Sequence, residues 1–295
     1  AADSAAAPEP RGPGCGAGEI PRHCAFGYSS AMEHQPRKRF GQNFLHDPAV
    51  IARIQTAIAA RPGERLVEIG PGQGAITQGL LTSVGELDVI ELDRDLVEPL
   101  RQRLGHLGRL RIHNADALTV DLCELVGAGE RLRLVGNLPY NISTPLLFHF
   151  LDHASCIQDL HLMLQKEVVD RIVADPGDKI YGRLSVMVQS RCSASSLFRI
   201  GPGAFTPAPK VESAFLRLRP LDPLPYPIAD RRLHARIVAA AFGQRRKTLR
   251  NSLGGLIDAA TFAAADIDPG LRAEVLDVAS YARLANAACK AADQT

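Results

Sequence analysis

The run Asn137-Leu138-Pro139-Tyr140 combines residue types that suit one kind of chemistry. An exocyclic amine on adenine is a poor nucleophile, because its lone pair is delocalised into the ring. Two acceptors on its N–H groups, the Asn137 side-chain oxygen and the Leu138 carbonyl, would draw the nitrogen toward tetrahedral geometry. That localises the pair toward an incoming methyl carbon. Pro139 would keep both acceptors aimed, which is preorganisation rather than proton abstraction. Tyr140 offers a ring face on which an extruded base can stack. The alternative is a proline turn with a packing tyrosine.

Phe205 opens FTPAPKVES, where Pro207 and Pro209 hold the chain extended. It could close the other face of a flipped base, or be a core phenylalanine beneath a loop. Upstream, LVEIG runs into Gly70-Pro71-Gly72-Gln73-Gly74-Ala75, whose glycines permit a sharp turn and close approach of backbone to a ligand. Alone, this turn fits a dinucleotide site, an S-adenosylmethionine site or a tight βα turn. Glu91 ends the following strand pattern and could accept from both hydroxyls of a ribose. Asp116, in Asn-Ala-Asp, ends the next and could accept from a cofactor's adenine amine. Each carboxylate could equally be an ordinary strand-end acid.

Those residues need a scaffold that brings strand ends together. Asp47-Pro48 reads as an N-cap and first helical residue, opening a helix through residue 60. Strand patterns follow at 66–70, 87–93, 109–116, 131–137 and 159–165, with helical patterns at about 75–83 and 94–104. Apolar strands alternating with helices imply a parallel sheet covered on both faces. Residues 196–200 and 213–220 look like a closing antiparallel pair, which makes seven strands. The expected organisation is a disordered extension at 1–33, an α/β domain at 34–220, a proline-rich linker at 221–229 and a helical domain at 230–291. The extension is Ala/Pro/Gly-rich, and Met32 at its end suggests a translation start there.

Composition narrows the function classes. With 295 residues and 46% apolar side chains, the chain can bury a sizeable core without disulfide staples. No run approaches the ~18 apolar residues of a membrane span, and no secretory signal is visible. Six cysteines without a C-x-x-C pair suggest reduced cytosolic thiols and no zinc site. The formal charge is only +2, yet Asp230 to Gly254 holds seven basic residues against one acidic, among them Arg245, Arg246, Lys247 and Arg250. An apolar stripe (Leu233, Ile237, Val238, Ala241, Phe242, Leu249, Leu253) suggests a helix whose basic face contacts RNA phosphates, or is simply solvated.

Taken together, these blocks resemble the ribosomal RNA adenine N6-dimethyltransferases, most closely the bacterial small-subunit branch tied to kasugamycin sensitivity. The resemblance covers about residues 36–288, through RKRFGQNFL (37–45), VEIGPGQGAIT (67–77), VIELD (89–93), NADAL (114–118) and GNLPYNISTPLLFH (136–149). It continues through MLQKEVVDRI (163–172), YGRLSVM (181–187), FTPAPKVESA (205–214) and QRRKTLRNSL (244–253). It implies a Rossmann-like domain with a mostly parallel seven-stranded sheet, followed by a small all-helical domain. It further implies S-adenosylmethionine held by Asn43, Leu45, Gly70, Glu91, Asp116 and Asn137, with no metal. The implied substrate is a pair of adjacent adenosines in a hairpin near the 3′ end of 16S rRNA, dimethylated in the immature 30S particle late in assembly. A cytoplasmic protein, monomeric off the ribosome, follows from the same likeness.

Three rivals remain at this level. A large-subunit resistance methyltransferase shares the glycine turn and tetrapeptide, although QRRKTLRNSL and KEVVDRI favour the small-subunit branch. A binding-only assembly factor needs no intact acceptor set. A nicotinamide dehydrogenase would leave the tetrapeptide and Phe205 idle.

Overall fold

The computed structural model describes residues 42–292. The extension, Met32 and the Arg37–Arg39 run lie outside them. Along the chain come β1 (Phe44–Leu45), α1 (Pro48–Ile58), β2 (Leu66–Ile69), α2 (Thr77–Val84), β3 (Glu86–Ile90), α3 (Arg94–Leu104) and β4 (Arg109–His113). Next are β5 (Leu132–Asn137), α4 (Ser143–Asp152), β6 (Ile157–Gln165), α5 (Lys166–Val173), α6 (Arg183–Gln189), β7 (Cys192–Ile200), β8 (Phe205–Thr206) and β9 (Ser213–Pro220). The chain finishes with α7 (Arg231–Gly243), α8 (Leu249–Leu253), α9 (Ala259–Ala264) and α10 (Val278–Ala292).

Seven strands form one sheet in the order β4-β3-β2-β5-β6-β9-β7. The first five are mutually parallel, and β9 runs antiparallel between β6 and β7. The chain leaves β2 toward one edge and returns to β5 on the other side. This order opens a crevice at the carboxyl ends of β2 and β5, where open α/β sheets bind ligands. The strands read apolar throughout because both faces are covered. Leu134, Leu162 and Leu164 pack with Leu147 and Phe150 of α4 on one face. Val135, Met163 and Phe215 pack with Ile54, Ile58, Leu80 and Leu81 of α1 and α2 on the other. Each fully buried side chain of this size stabilises the fold by roughly 1.5–3 kcal/mol.

Asp47 caps α1 as the sequence suggests, accepting from the Ala49 and Val50 amides at 2.8 and 3.1 Å. Residues 221–229 carry neither helix nor strand. The helices beyond them share a third core with α6, in which Tyr181 and Val186 pack with Ile237, Leu249 and Tyr281. Tyr181 and Tyr281 direct their hydroxyls to the Leu276 and Ala273 carbonyls at 3.0 and 2.8 Å. The helical end therefore packs on the α/β part through a common apolar core.

One expectation is corrected. Cys123 and Cys156 are joined by a disulfide, so the thiols are not all reduced. Their 33-residue separation carries no sequence signature. They meet because the short turn after β4 lies against the turn that ends α4. Among the described residues, Cys192 and Cys289 are free.

Candidate active site

The crevice holds a cavity of about 250 Å³ lined by the glycine turn, the ends of β3 and β5 and the strip around β1. Gly70, Gly72 and Gly74 adopt positive φ of 65°, 57° and 74°. The requirement is sharpest at the last two. A Cβ on Gly72 would lie 3.1 Å from the Phe44 ring, and one on Gly74 would lie 2.7 Å from Leu100 Cδ1. A side chain there would push the turn off the strip on one side and off α3 on the other.

Glu91 follows β3 directly. Its Oε2 accepts from the Gly72 amide at 3.1 Å and its Oε1 from the Asp93 amide at 2.8 Å. Burial raises its pKa, and these amide bonds oppose the shift. The carboxylate is thus fixed in place against the glycine turn, and its remaining lone pairs can still accept from a ribose. Asp116 accepts from the Leu118 amide at 2.9 Å through Oδ1, which locks the loop beyond β4. Leu92, between the two carboxylates in sequence, is 48% exposed and lines the cavity. An exposed leucine in this largely apolar cleft suits the flat face of a purine.

Asn137 is the last residue of β5, beside Gly70. Its Nδ2 donates to the Asn43 carbonyl at 3.1 Å. Only the amide nitrogen can make that bond, so Oδ1 is turned the other way as an acceptor. Leu138 donates its amide to the Met163 carbonyl at 3.2 Å, tying the start of the tetrapeptide to β6. Tyr140 is half-buried on the cavity lining, its hydroxyl 2.6 Å from Ser213 Oγ. Burial raises its pKa, so it stays a neutral phenol.

Asn43, Leu45, Gly70, Glu91, Asp116, Asn137, Leu138 and Tyr140 all line this one cavity. Phe205 does not. It is 3% exposed, pairs with Leu45 across β1 and β8, and packs in the core with Met163 and Phe215. The core alternative describes its position, because the strip and β8 form a two-stranded ribbon that turns this ring inward.

Sequence reasoning passed over Glu68. It lies in the middle of β2, is fully buried and lines the cavity. Burial pushes its carboxyl up to about 7, only partly offset by the Thr77 hydroxyl beside it. Neither Glu68 Oε2 nor Thr77 Oγ1 closes a hydrogen bond of normal geometry. The available signal was an acid inside an otherwise apolar central strand.

Arg245, Arg246, Lys247 and Arg250 are exposed, away from the cavity. The first three occupy the turn between α7 and α8 rather than a helix face. Arg245 there donates to the Lys179 carbonyl at 2.7 Å and to Glu274 at 3.2 Å. Among the described residues, no group of three His, Cys, Asp or Glu side chains is placed to hold a metal ion.

A glycine cradle that a Cβ would fill, two carboxylates and an apolar shelf fit an adenosine with a small charged tail. Comparison with known proteins agrees. Residues 33–290 match the family model for ribosomal RNA adenine dimethylase. The Pseudomonas aeruginosa protein named ribosomal RNA small subunit methyltransferase A is 57% identical over 258 residues, 88% of this chain and 96% of that protein. A Marinomonas protein of the same name is 52% identical, over 88% and 97% of the two chains. A solved dimethyladenosine transferase from Plasmodium falciparum shares the fold, with a TM-score of 0.71 and 22% identity over 82% and 95% of the chains. The 23S rRNA methyltransferase ErmE aligns at a TM-score of 0.66 with 26% identity, over 83% of this chain and 99% of ErmE. The chain belongs to the ribosomal RNA adenine dimethylase family, S-adenosylmethionine-dependent methyltransferases with a Rossmann-like fold.

Proposed function

We propose that this protein transfers methyl groups from S-adenosylmethionine to N6 of two adjacent adenosines in a hairpin near the 3′ end of small-subunit (16S) rRNA. It yields N6,N6-dimethyladenosine on the immature 30S particle in the cytoplasm, and is a monomer when off the ribosome. The observation that carries the reading is the orientation of Asn137. A structural strip holds its amide nitrogen and leaves its oxygen as an acceptor at the edge of the cofactor-sized cavity.

When bound, S-adenosylmethionine supplies an electrophilic methyl group on a sulfonium. Glu91 holds the ribose end and Asp116 the adenine end; the glycine turn admits the remainder. Asn43 and Leu45 close the strip over the cavity. The target base leaves its stack and lies against Tyr140, with its amine donating to Asn137 Oδ1 and the Leu138 carbonyl. Because those acceptors are already fixed, little reorganisation is needed as the nitrogen becomes tetrahedral. No side chain has to take the proton in that step; the methylated amine is left cationic and gives its surplus proton to water afterwards. Arg245, Arg246, Lys247 and Arg250 supply phosphate contacts that hold the particle.

Asn137→Ala tests the reading. Loss of one such acceptor should lower methyl transfer by about 10²–10³, with the fold unchanged by circular dichroism. Cofactor affinity is measured separately, since Asn137 also borders that cavity. Wild-type turnover in the variant would remove Asn137 from the mechanism.

A further inference from the structure

The FTPAPKVES segment does something other than supply an aromatic face. At its start, β8 pairs with β1 in the register Phe44↔Thr206 and Leu45↔Phe205. The His46 amide donates to the Ala204 carbonyl at 3.0 Å alongside. That ribbon carries Asn43, whose carbonyl orients Asn137. At its far end the segment enters β9 at Ser213, whose hydroxyl lies 2.6 Å from the Tyr140 hydroxyl. One stretch of chain thus braces both ends of the tetrapeptide.

Ser213 is well built for the second brace. It is 0% exposed, and its backbone is paired on both sides, with Gln165 of β6 and Ile200 of β7. The preceding Glu212 carbonyl accepts from the Lys166 amide at 2.9 Å. The serine backbone is therefore fixed by three strands. Tyr140, by contrast, lies in an irregular stretch between β5 and α4, where nothing in the backbone pattern sets its ring. The phenol oxygen lies on the axis of the outer torsion, so a hydroxyl anchor leaves the spin of the ring to packing and fixes instead its swing about the inner torsion, which places the far end of the ring.

We infer that Ser213 is a positioning residue for methyl transfer: its hydroxyl anchors the Tyr140 phenol and so holds the ring in place against the target base. This rests on the reading of Tyr140 given under the proposed function. The anchor works on orientation and not on cofactor capture, since Ser213 lies outside the cavity lining. Displacing a reacting group by about 1 Å can cost 10²-fold in rate, and a ring released at its far end has that much freedom.

The test is a double-mutant cycle on the full-length protein with undermethylated small subunits. Ser213→Ala removes the anchor; Tyr140→Phe removes the anchored hydroxyl and keeps the ring. Each single variant should lower kcat by roughly 10-fold, with cofactor Kd unchanged by calorimetry. The double variant should be no slower than the slower single, because both remove the same bond. Losses that multiply in the double variant would mean two independent effects and would overturn the inference. So would wild-type kcat in Ser213→Ala. Where Ser213→Ala does not fold, Tyr140→Phe alone decides, and wild-type kcat there has the same consequence. A wild-type protein that transfers no methyl group overturns the proposed function itself; an active wild type with an insensitive Ser213 overturns only the brace.

Discussion

Replacing Glu68 by glutamine should stabilise the protein at neutral and alkaline pH, and only there. The side chain is fully buried in β2, and burial pushes its carboxyl from 4.5 to about 7. In the unfolded chain the group ionises near 4.5; in the folded protein it keeps its proton until about 7. Below 4.5 both states are protonated and the group is neutral toward folding. As pH rises through the interval, the unfolded state loses its proton first, so stability falls and levels off above 7. The interval from 4.5 to about 7, at ~1.4 kcal/mol per pH unit, gives about 3 kcal/mol. Glutamine has the same shape, holds no charge and avoids this cost. At roughly 2–4 °C per kcal/mol for a protein of this size, Glu68→Gln should melt about 6–12 °C higher at pH 8 and at the wild-type temperature at pH 4.5. Differential scanning calorimetry across that range reads the difference curve. A constant offset would show that burial does not raise the Glu68 pKa, and a variant less stable at pH 8 would show that Glu68 is ionised and paired in the folded protein.

Further outcomes follow from the same contacts. Glu91→Ala should weaken S-adenosylmethionine binding, each lost charged hydrogen bond being worth about 1.5–3 kcal/mol; unchanged affinity by titration calorimetry would place the ribose elsewhere. Neutralising Arg245, Arg246 and Lys247 together should weaken binding to immature small subunits and flatten its salt dependence, by roughly 0.7–0.9 in log–log slope per lost contact. Cofactor affinity should stay the same, and an unchanged slope would move docking off the α7–α8 turn. His234, buried on α7 with Nε2 unpartnered, is pushed down to about 4 by burial. It should therefore withdraw stability as pH falls from 6.5 toward 4, and His234→Leu should flatten that loss in melting experiments.

Much of this protein is legible in the amino-acid sequence, for physical reasons that differ by element. The parallel strands announce themselves because burial on both faces demands continuous apolar runs. Asp47 and the glycine turn are legible because caps and positive φ need particular residues. The tetrapeptide stands out because Asn, Pro and Tyr at this spacing suit one chemistry. What stayed hidden depends on distant partners. Nothing local says that Phe205 turns inward, since that follows from β8 pairing with a strip some 160 residues earlier. The Cys123–Cys156 bond, the Asn43 carbonyl on Asn137 and the Ser213 hydroxyl on Tyr140 are likewise products of topology. Arg245 to Lys247 read as a helix face because the apolar stripe continues through Leu249, yet the chain turns at Gln244 and resumes at α8.

Methyl transfer to a defined pair of adenines can be measured directly. Undermethylated small subunits are incubated with the protein and S-adenosylmethionine carrying a labelled methyl group. The rRNA is then digested, and its nucleosides and labelled fragments are identified by mass spectrometry. The expected product is N6,N6-dimethyladenosine at two adjacent positions in the 3′ hairpin of small-subunit rRNA, lost with Asn137→Ala. Label at another nucleotide, label only in large-subunit RNA, or no transfer at all would contradict it.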